Sequence, residues 1–198
     1  MRIMKLIKNL LTVALALSTL SAAAQVVKTD NGLRSVSNGV VTEVRFYSSQ
    51  VARILKYNSS DAAATSDPKL VVTMSPQTVS VNFTNGSDVA KVSTSDITVS
   101  VNKTTGQVIF YDKDGKQMIA EKSGATVMTS RKDGTSASYE LKQTFTLDSD
   151  ESIYGLGQIQ DGKLNQRGQN YWYMVQGNST VWVPYVHSVK GYGLYWDN

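Results

Sequence analysis

Apolar and polar residues alternate with a two-residue period along much of the chain. Residues 39–47 and 50–57 are rich in β-branched and aromatic side chains, and residues 96–102 alternate between the two classes. This pattern is typical of strands whose two faces meet different surroundings. Further strands are predicted at residues 69–75 and 78–86. No amphipathic helical period is found after the N-terminal segment.

Turn signals separate these strands at short intervals. Residues 104–106 end one strand, and the Asp-Gly pair in residues 113–116 predicts a hairpin turn. Residues 131–147 predict another turn and a long strand. Residues 58–68 are small and polar and end in a proline, which predicts a loop. No repeat or linker divides the chain. The sequence therefore predicts a single all-β domain, an antiparallel β-sandwich.

The N-terminus has a different pattern. It begins with the basic residues Arg2, Lys5 and Lys8. An apolar run follows at residues 10–20, and small residues follow at 22–24. This order predicts a signal-peptide helix at residues 1–24 and a mature domain at 25–198; a buried N-terminal helix is the alternative. The run is shorter than the about 20 residues of a permanent membrane anchor. We therefore expect export to the periplasm or the extracellular medium.

Charge and composition exclude several classes of partner. The formal net charge of +4 includes the three basic residues of the predicted signal, so the remaining chain is close to neutral. A nucleic-acid partner is therefore not expected. The chain has no cysteine, which excludes disulfides, thiolate metal sites and a cysteine nucleophile. Neither a metal-ligand spacing nor a phosphate-binding glycine loop is present, so no cofactor or metal is expected.

Candidate chemistry is concentrated after Ile153, where all three tryptophans lie. Aromatic rings stack on the apolar face of a sugar, and amides bind its hydroxyl groups. The alternative is that this region is sandwich core with a surface loop. The residues of the suitable types are Gln158, Gln160, Asp161, Lys163, Asn165, Arg167, Trp172, Gln176 and Asn178.

No catalytic set is evident in the chain. Hydrolysis of a glycosidic bond needs two carboxyl groups that face each other across a cleft. The densest acidic cluster, Asp148, Asp150 and Glu151, is expected to be a solvated turn. His187 is the only histidine and is expected to be a core or rim residue rather than a general base.

Several motifs resemble the N-terminal β-sandwich domain, of galactose-mutarotase-like fold, of glycoside hydrolase family 31. Their order and spacing agree with those of the family, most specifically near the C-terminus, and the domain looks like that of a bacterial α-xylosidase-type member. The motifs are IYGLGQ (Ile153–Gln158), LNQRG (164–168), MVQGN (174–178) and VPYVHSVKGYGLYWDN (183–198), with weaker resemblance at 43–57 and 104–122.

The resemblance implies a part of a retaining, exo-acting α-glycosidase. Such enzymes use an aspartate nucleophile and an aspartate acid/base, both in a (β/α)8 barrel that follows this domain. The chain is therefore expected to be C-terminally incomplete, to lack that barrel and to be inactive alone. Its expected partners are that barrel and, through the whole enzyme, an α-linked oligosaccharide that ends in xylose or glucose.

The resemblance also implies a set of substrate contacts, because a loop of this domain reaches over the barrel mouth in the family. Residues 177–180 lack the carboxylate that many α-glucosidases carry near this position, so a glucose-specific contact from it is not expected. The Gln-Gly-Asn sequence at residues 176–178 resembles that of xylosidase-like members. The implied substrate-binding residues are Gln176, Gly177 and Asn178, with Gln158 and Arg167 beside them.

Two other functions remain open from the residues alone. The chain could be a stand-alone secreted carbohydrate-binding sandwich, in which residues 191–198 form a closing strand. It could also be a structural or adhesive surface domain. In the family-like interpretation, the apolar residues Leu194, Tyr195 and Trp196 are expected to pack inward as a core strand whose continuation is missing.

Overall fold

The computed structural model describes residues 26–61, 71–171 and 174–197, so the predicted signal peptide lies outside the described residues. Fifteen strands and no helix are found in these three ranges. The strands are β1 (Val26–Thr29), β2 (Gly32–Ser37), β3 (Val40–Phe46), β4 (Ala52–Asn58), β5 (Asn82–Asn85), β6 (Val89–Ser93), β7 (Ile97–Asn102), β8 (Val108–Asp112), β9 (Gln117–Glu121), β10 (Val127–Asp133), β11 (Ser136–Lys142), β12 (Phe145–Thr146), β13 (Ile153–Gln158), β14 (Val181–Ser188) and β15 (Gly193–Tyr195). None of the described segments is a helix of the length and hydropathy that a membrane span requires.

The strands form four antiparallel sheets, which confirms the predicted all-β class. Strands β1 to β4 make a four-stranded sheet in chain order, and β5 to β9 make a meander that β12 extends to six strands. Strands β10 and β11 form a separate hairpin, and β13, β14 and β15 form a three-stranded sheet. Nearly all neighbours in a sheet are also neighbours in sequence, as expected where short turns join antiparallel strands.

The first two sheets face each other across one apolar core. Alternate residues of each strand point into it, since side chains in a strand alternate between its two faces. Its fully buried members are Leu33, Val44 and Phe46 from the four-stranded sheet and Ala90, Val92, Val99, Val101 and Val108 from the six-stranded sheet. Two sheets that share one core in this way constitute a β-sandwich.

A buried ion pair also joins the two sheets. The Lys56 ammonium of β4 lies 2.6 Å from the Glu121 carboxylate of β9 and also donates to Gly106 and Thr126. The carboxylate accepts the Val108 backbone N–H at 2.8 Å. Burial raises the pKa of Glu121, and the neighbouring Lys56 opposes that shift. The pair is therefore a buried polar contact that links β4 of one sheet to β9 of the other.

The strand predictions were wrong in the middle of the chain. Residues 71–81 form no strand, and β5 begins only at Asn82. Val71 and Met74 are exposed there, and Pro76 lacks the N–H that a strand partner would use. The pattern also gave no strand at β1, β2 or β6. In β2 the buried positions include two serines, Ser35 and Ser37, which hide the apolar alternation.

Removal of the Lys56 charge should destabilise the sandwich strongly. Lys56→Met leaves the Glu121 carboxylate buried without its counterion, which should cost about 3 kcal/mol of unfolding free energy at neutral pH. The cost should fall as the pH is lowered toward 5, because protonation of Glu121 removes the uncompensated charge. Urea denaturation of the parent chain and the variant at neutral pH and near pH 5 measures this cost in unfolding free energy.

The matched control is Arg131→Met, which breaks the exposed Arg131–Glu140 pair of the β10–β11 hairpin. That change should cost no more than about 0.5 kcal/mol. Equal costs for the two variants, or a cost at Lys56 that does not depend on pH, would contradict the role assigned to the buried pair.

Candidate functional site

Two glycines allow β13 to approach β14 closely. An ideal Cβ on Gly155 would lie 2.4 Å from the Tyr185 carbonyl oxygen, and one on Gly157 would lie 2.1 Å from the Val181 carbonyl oxygen. Both glycines have positive φ, +119° and +93°, which L side chains rarely adopt. The pairing of β13 with β14 changes register between the two glycines. The two glycines of the YGLGQ motif are therefore required by the backbone geometry of this sheet.

A tight turn precedes β14 at the same end of the sheet. The Gly177 N–H donates to the Thr180 carbonyl at 3.0 Å, which places Asn178 and Ser179 at the tip. Gln158, the last residue of β13, pairs with Val181 directly after this turn. The structure thus brings Gln158, Gly177 and Asn178 to one end of the three-stranded sheet.

Gln176 uses its side-chain amide on the backbone of β14. Its Nε2 donates to the Trp182 carbonyl at 2.9 Å, and its Oε1 accepts the Trp182 N–H at 3.0 Å. This edge of β14 is paired with β15 only as far as Pro184, whose carbonyl accepts the Trp196 N–H. The amide continues the strand pairing beyond that point. Gln176 therefore holds the turn in place, and both of its polar atoms are occupied.

Arg167 also has structural contacts. Its Nη1 donates to the carbonyl oxygens of Asp148 and Glu151, each at 2.6 Å. The surrounding loop folds back on the start of β13, where the Gln166 N–H donates to the Ile153 carbonyl and Asn165 accepts the Ile153 N–H. The guanidinium therefore ties this loop to the segment before β13.

Gln158 and Asn178 differ from Gln176 and Arg167. Both are exposed, and neither side chain forms a hydrogen bond within the described ranges. Their amides can thus donate to, and accept from, a ligand hydroxyl. Of the five residues implied by the resemblance, these two present free polar groups, Gly177 shapes the turn, and the other two are engaged with backbone.

An aromatic pair that the resemblance did not single out lies next to this end. The Tyr171 ring packs edge-on against Trp182, with the ring centroids 5.0 Å apart. The Tyr171 hydroxyl donates to the Asp161 carboxylate at 2.6 Å. That hydrogen bond lowers the pKa of Asp161 and raises the pKa of Tyr171. The clustering of aromatic residues after Ile153 was the sequence signal for this pair.

The expectation of a solvated acidic turn was wrong for Glu151. This residue is only 2% exposed, and its carboxylate accepts hydrogen bonds from Ser188, Tyr192 and the Asp148 N–H. Burial alone would raise the pKa of Glu151, but these hydrogen bonds, together with the charge of Lys190, hold it below its usual value. The carboxylate joins the segment before β13 to both ends of the β14–β15 turn.

The aromatic end of the chain is partly exposed. His187 is exposed on β14 and is therefore not a core residue; its ring centroid lies 5.5 Å from that of Tyr154 and 6.4 Å from that of Tyr185. Strand β15 ends at Tyr195, and Trp196 is 40% exposed. The expectation that Trp196 packs inward was therefore wrong, because no described segment covers that position.

Comparison with known proteins identifies the domain. Residues 41–198 match the family model described as the glycosyl hydrolase 31 N-terminal galactose mutarotase-like domain. The chain belongs to this family. The resemblance found in the sequence motifs is thereby confirmed, together with the mutarotase-like sandwich that it implied.

Two of the proteins similar to this glycoside hydrolase family 31 domain are α-xylosidases. The chain is 28% identical over 171 residues to an α-xylosidase from Saccharolobus solfataricus, covering 79% of this chain and 22% of the relative. A family 31 α-xylosidase from Xanthomonas citri has a similar structure, with a TM-score of 0.77 and 26% identity, covering 86% of this chain and 19% of the other. The chain thus spans about a fifth of the length of each.

A family 31 dextranase from Flavobacterium johnsoniae shares the fold. Its TM-score is 0.67 at 20% identity, and the alignment covers 89% of this chain and 22% of the dextranase. That enzyme was solved with isomaltotriose. The family 31 domain is therefore found in glycosidases with different substrates, and its fold does not by itself select the sugar.

Replacement of Gly157 by alanine should disrupt the three-stranded sheet. The new Cβ would meet the Val181 carbonyl and would also require an unfavourable φ, so we expect a loss of at least about 3 kcal/mol. Gly162→Ala is the matched control, because Gly162 has φ +71° but no atom within 4 Å of a Cβ. The control should lose only about 1 kcal/mol. Thermal unfolding compares the stability of the two variants. Similar losses of stability would contradict the explanation by close approach of β13 to β14.

Glu151→Gln should reduce stability at neutral pH and change its pH dependence. Because the folded state lowers the pKa of Glu151, its contribution is present above the ordinary value of 4.5 and is lost as the pH falls through the folded value. The variant should lose about 2 kcal/mol at pH 7, and its difference from the parent should shrink below pH 4.5. The control Asp150→Asn, at an exposed residue, should change neither the stability at pH 7 nor its dependence on pH. A difference that stayed constant down to pH 3 would contradict this account.

Proposed function

We propose that this domain is the N-terminal part of an exported, retaining α-glycosidase that removes terminal α-xylosyl residues from oligosaccharides. Its similarity to α-xylosidases over about four-fifths of the chain carries this proposal. The predicted signal peptide at residues 1–24 supports export to the periplasm or the medium. The two catalytic carboxyl groups would come from a barrel domain of the same protein, in the arrangement used by retaining enzymes.

The domain would contribute to the substrate site through the turn before β14. The Asn178 amide, at the tip of this turn, and the Gln158 amide, at the end of β13, are exposed and free to bind sugar hydroxyl groups. Gln176 fixes the turn by pairing with Trp182, so a sugar would meet groups that are already in position. Such preorganisation reduces the entropy lost on binding.

The chemistry of the turn supports xylose over glucose as the terminal sugar. Residues 177–180 offer an amide and two hydroxyl groups and no carboxylate. A xylosyl residue has one hydroxyl group fewer than a glucosyl residue, because it lacks the hydroxymethyl group. A turn without the strong carboxylate acceptor is consistent with the smaller sugar.

The enzyme that carries this domain should prefer an α-xyloside to an α-glucoside. We expect kcat/KM for 4-nitrophenyl α-xyloside to exceed that for the glucoside by at least about tenfold, or about 1.4 kcal/mol. Asn178→Ala should raise KM for a xyloglucan oligosaccharide several-fold with little change in kcat, as expected for a binding contact. Steady-state kinetics on the two 4-nitrophenyl glycosides and on the xyloglucan oligosaccharide measure these constants.

The controls separate binding from other effects. Asn82→Ala, at an exposed asparagine of β5, should leave both constants unchanged. The 198-residue chain alone should hydrolyse neither substrate. A preference for the glucoside would overturn the choice of sugar, and turnover by the chain alone would overturn the assignment of catalysis to another domain. Tight oligosaccharide binding by the chain alone would instead favour a carbohydrate-binding module.

A further inference from the structure

A row of polar side chains crosses the inner face of the four-stranded sheet. Ser35 of β2 pairs with Thr42 of β3, and Thr42 pairs with Lys56 of β4. All three therefore project toward the six-stranded sheet, since directly paired residues share a face. Ser35 and Thr42 are 0% and 1% exposed. The row places hydroxyl groups inside the sandwich.

The two hydroxyl groups lack protein partners. Ser35 Oγ and Thr42 Oγ1 are both buried, and neither forms a hydrogen bond with any described residue. A buried hydroxyl without a partner costs about 1–3 kcal/mol, and two adjacent ones would be an unusual loss for a folded domain. The neighbouring Lys56 cannot serve both, because its contacts to Glu121, Gly106 and Thr126 occupy its three protons.

The absence of a side chain at Gly106 leaves open space beside Thr42. A Cβ built on Gly106 would lie 3.9 Å from Thr42 Oγ1 and 3.5 Å from the Ser37 Cβ, with no closer atom outside its chain neighbours. A methyl-sized group therefore fits there without a clash. Ser37 Oγ lies 3.9 Å from the same point and, although it donates to the Lys103 carbonyl, it can still accept a hydrogen bond.

We propose that Ser35 and Thr42 form a binding site for one buried water molecule between the two sheets. The water bridges the two hydroxyl groups and donates to Ser37 Oγ. A buried water with about three hydrogen bonds is a normal component of a protein interior. The ammonium of Lys56, which pairs with Thr42 across the sheet, disfavours a cation at the site. The water completes the polar layer that includes the Lys56–Glu121 pair.

A high-resolution crystal structure of the chain tests the proposal directly. We expect an ordered water within about 2.7–3.2 Å of both Ser35 Oγ and Thr42 Oγ1. The absence of such a water, or a direct hydrogen bond of both hydroxyl groups to protein carbonyls, would overturn the proposal.

A double-mutant cycle gives an independent test. If a shared water bridges the hydroxyl groups, Ser35→Ala and Thr42→Val should each raise the unfolding equilibrium constant about fivefold, because each leaves the water short of one partner. The double variant should raise the unfolding equilibrium constant by much less than the product of the two single effects, since each substitution disrupts the same water. Single variants that lower the constant, with effects that multiply, would overturn the proposal.

Exposed strand positions provide the controls for the substitutions themselves. Ser138→Ala in β11 and Thr84→Val in β5 report the intrinsic effect of each replacement at a solvent-facing site. Denaturation midpoints of all variants are measured in one buffer, and the two control effects are subtracted before the cycle is evaluated.

Discussion

The burial of two apolar sheet faces against each other is the constraint on which this domain depends. Leu33, Val44 and Phe46 of one sheet form a single buried core with apolar residues of β6 to β8 in the other. Burial of each such side chain contributes roughly 1.5–3 kcal/mol, and the contribution requires that the strands keep one register. The buried Lys56–Glu121 pair acts within this constraint. It links β4 to β9 through a short charged contact, so it joins the two sheets at one defined position.

The three-stranded sheet depends on a different constraint, the approach of backbone to backbone. Gly155 and Gly157 lie where any side chain would meet a carbonyl of β14. Glu151 then holds the segment before β13 against Ser188 and Tyr192. Together these contacts fix where β13 ends and where the turn at Asn178 begins. The position of the candidate site therefore follows from backbone geometry more than from a large core.

The sequence predicted the fold class well because strand alternation is a local signal. It predicted β3, β4 and β7 closely, and the Asp-Gly turn at residues 113–116 located the β8–β9 hairpin. It missed β2, whose buried face carries serines, because hydroxyl groups inside a sandwich do not look apolar in sequence. It misplaced Glu151 for a related reason: the residues that satisfy its carboxylate, Ser188 and Tyr192, are far away in the chain. Long-range polar contacts have no local pattern from which they could be inferred.

The same distinction applies to the candidate site. The motifs that carried the family resemblance named five residues, and the structure gives them different roles. Arg167 and Gln176 use their polar atoms on backbone groups, and Gly177 supplies a turn. Only Gln158 and Asn178 keep free amides. A motif includes the residues that contact a ligand and also the residues that hold these contacts in position. In this domain most of the motif therefore explains how a short turn is held rigid, and the turn itself is the part that can meet a sugar.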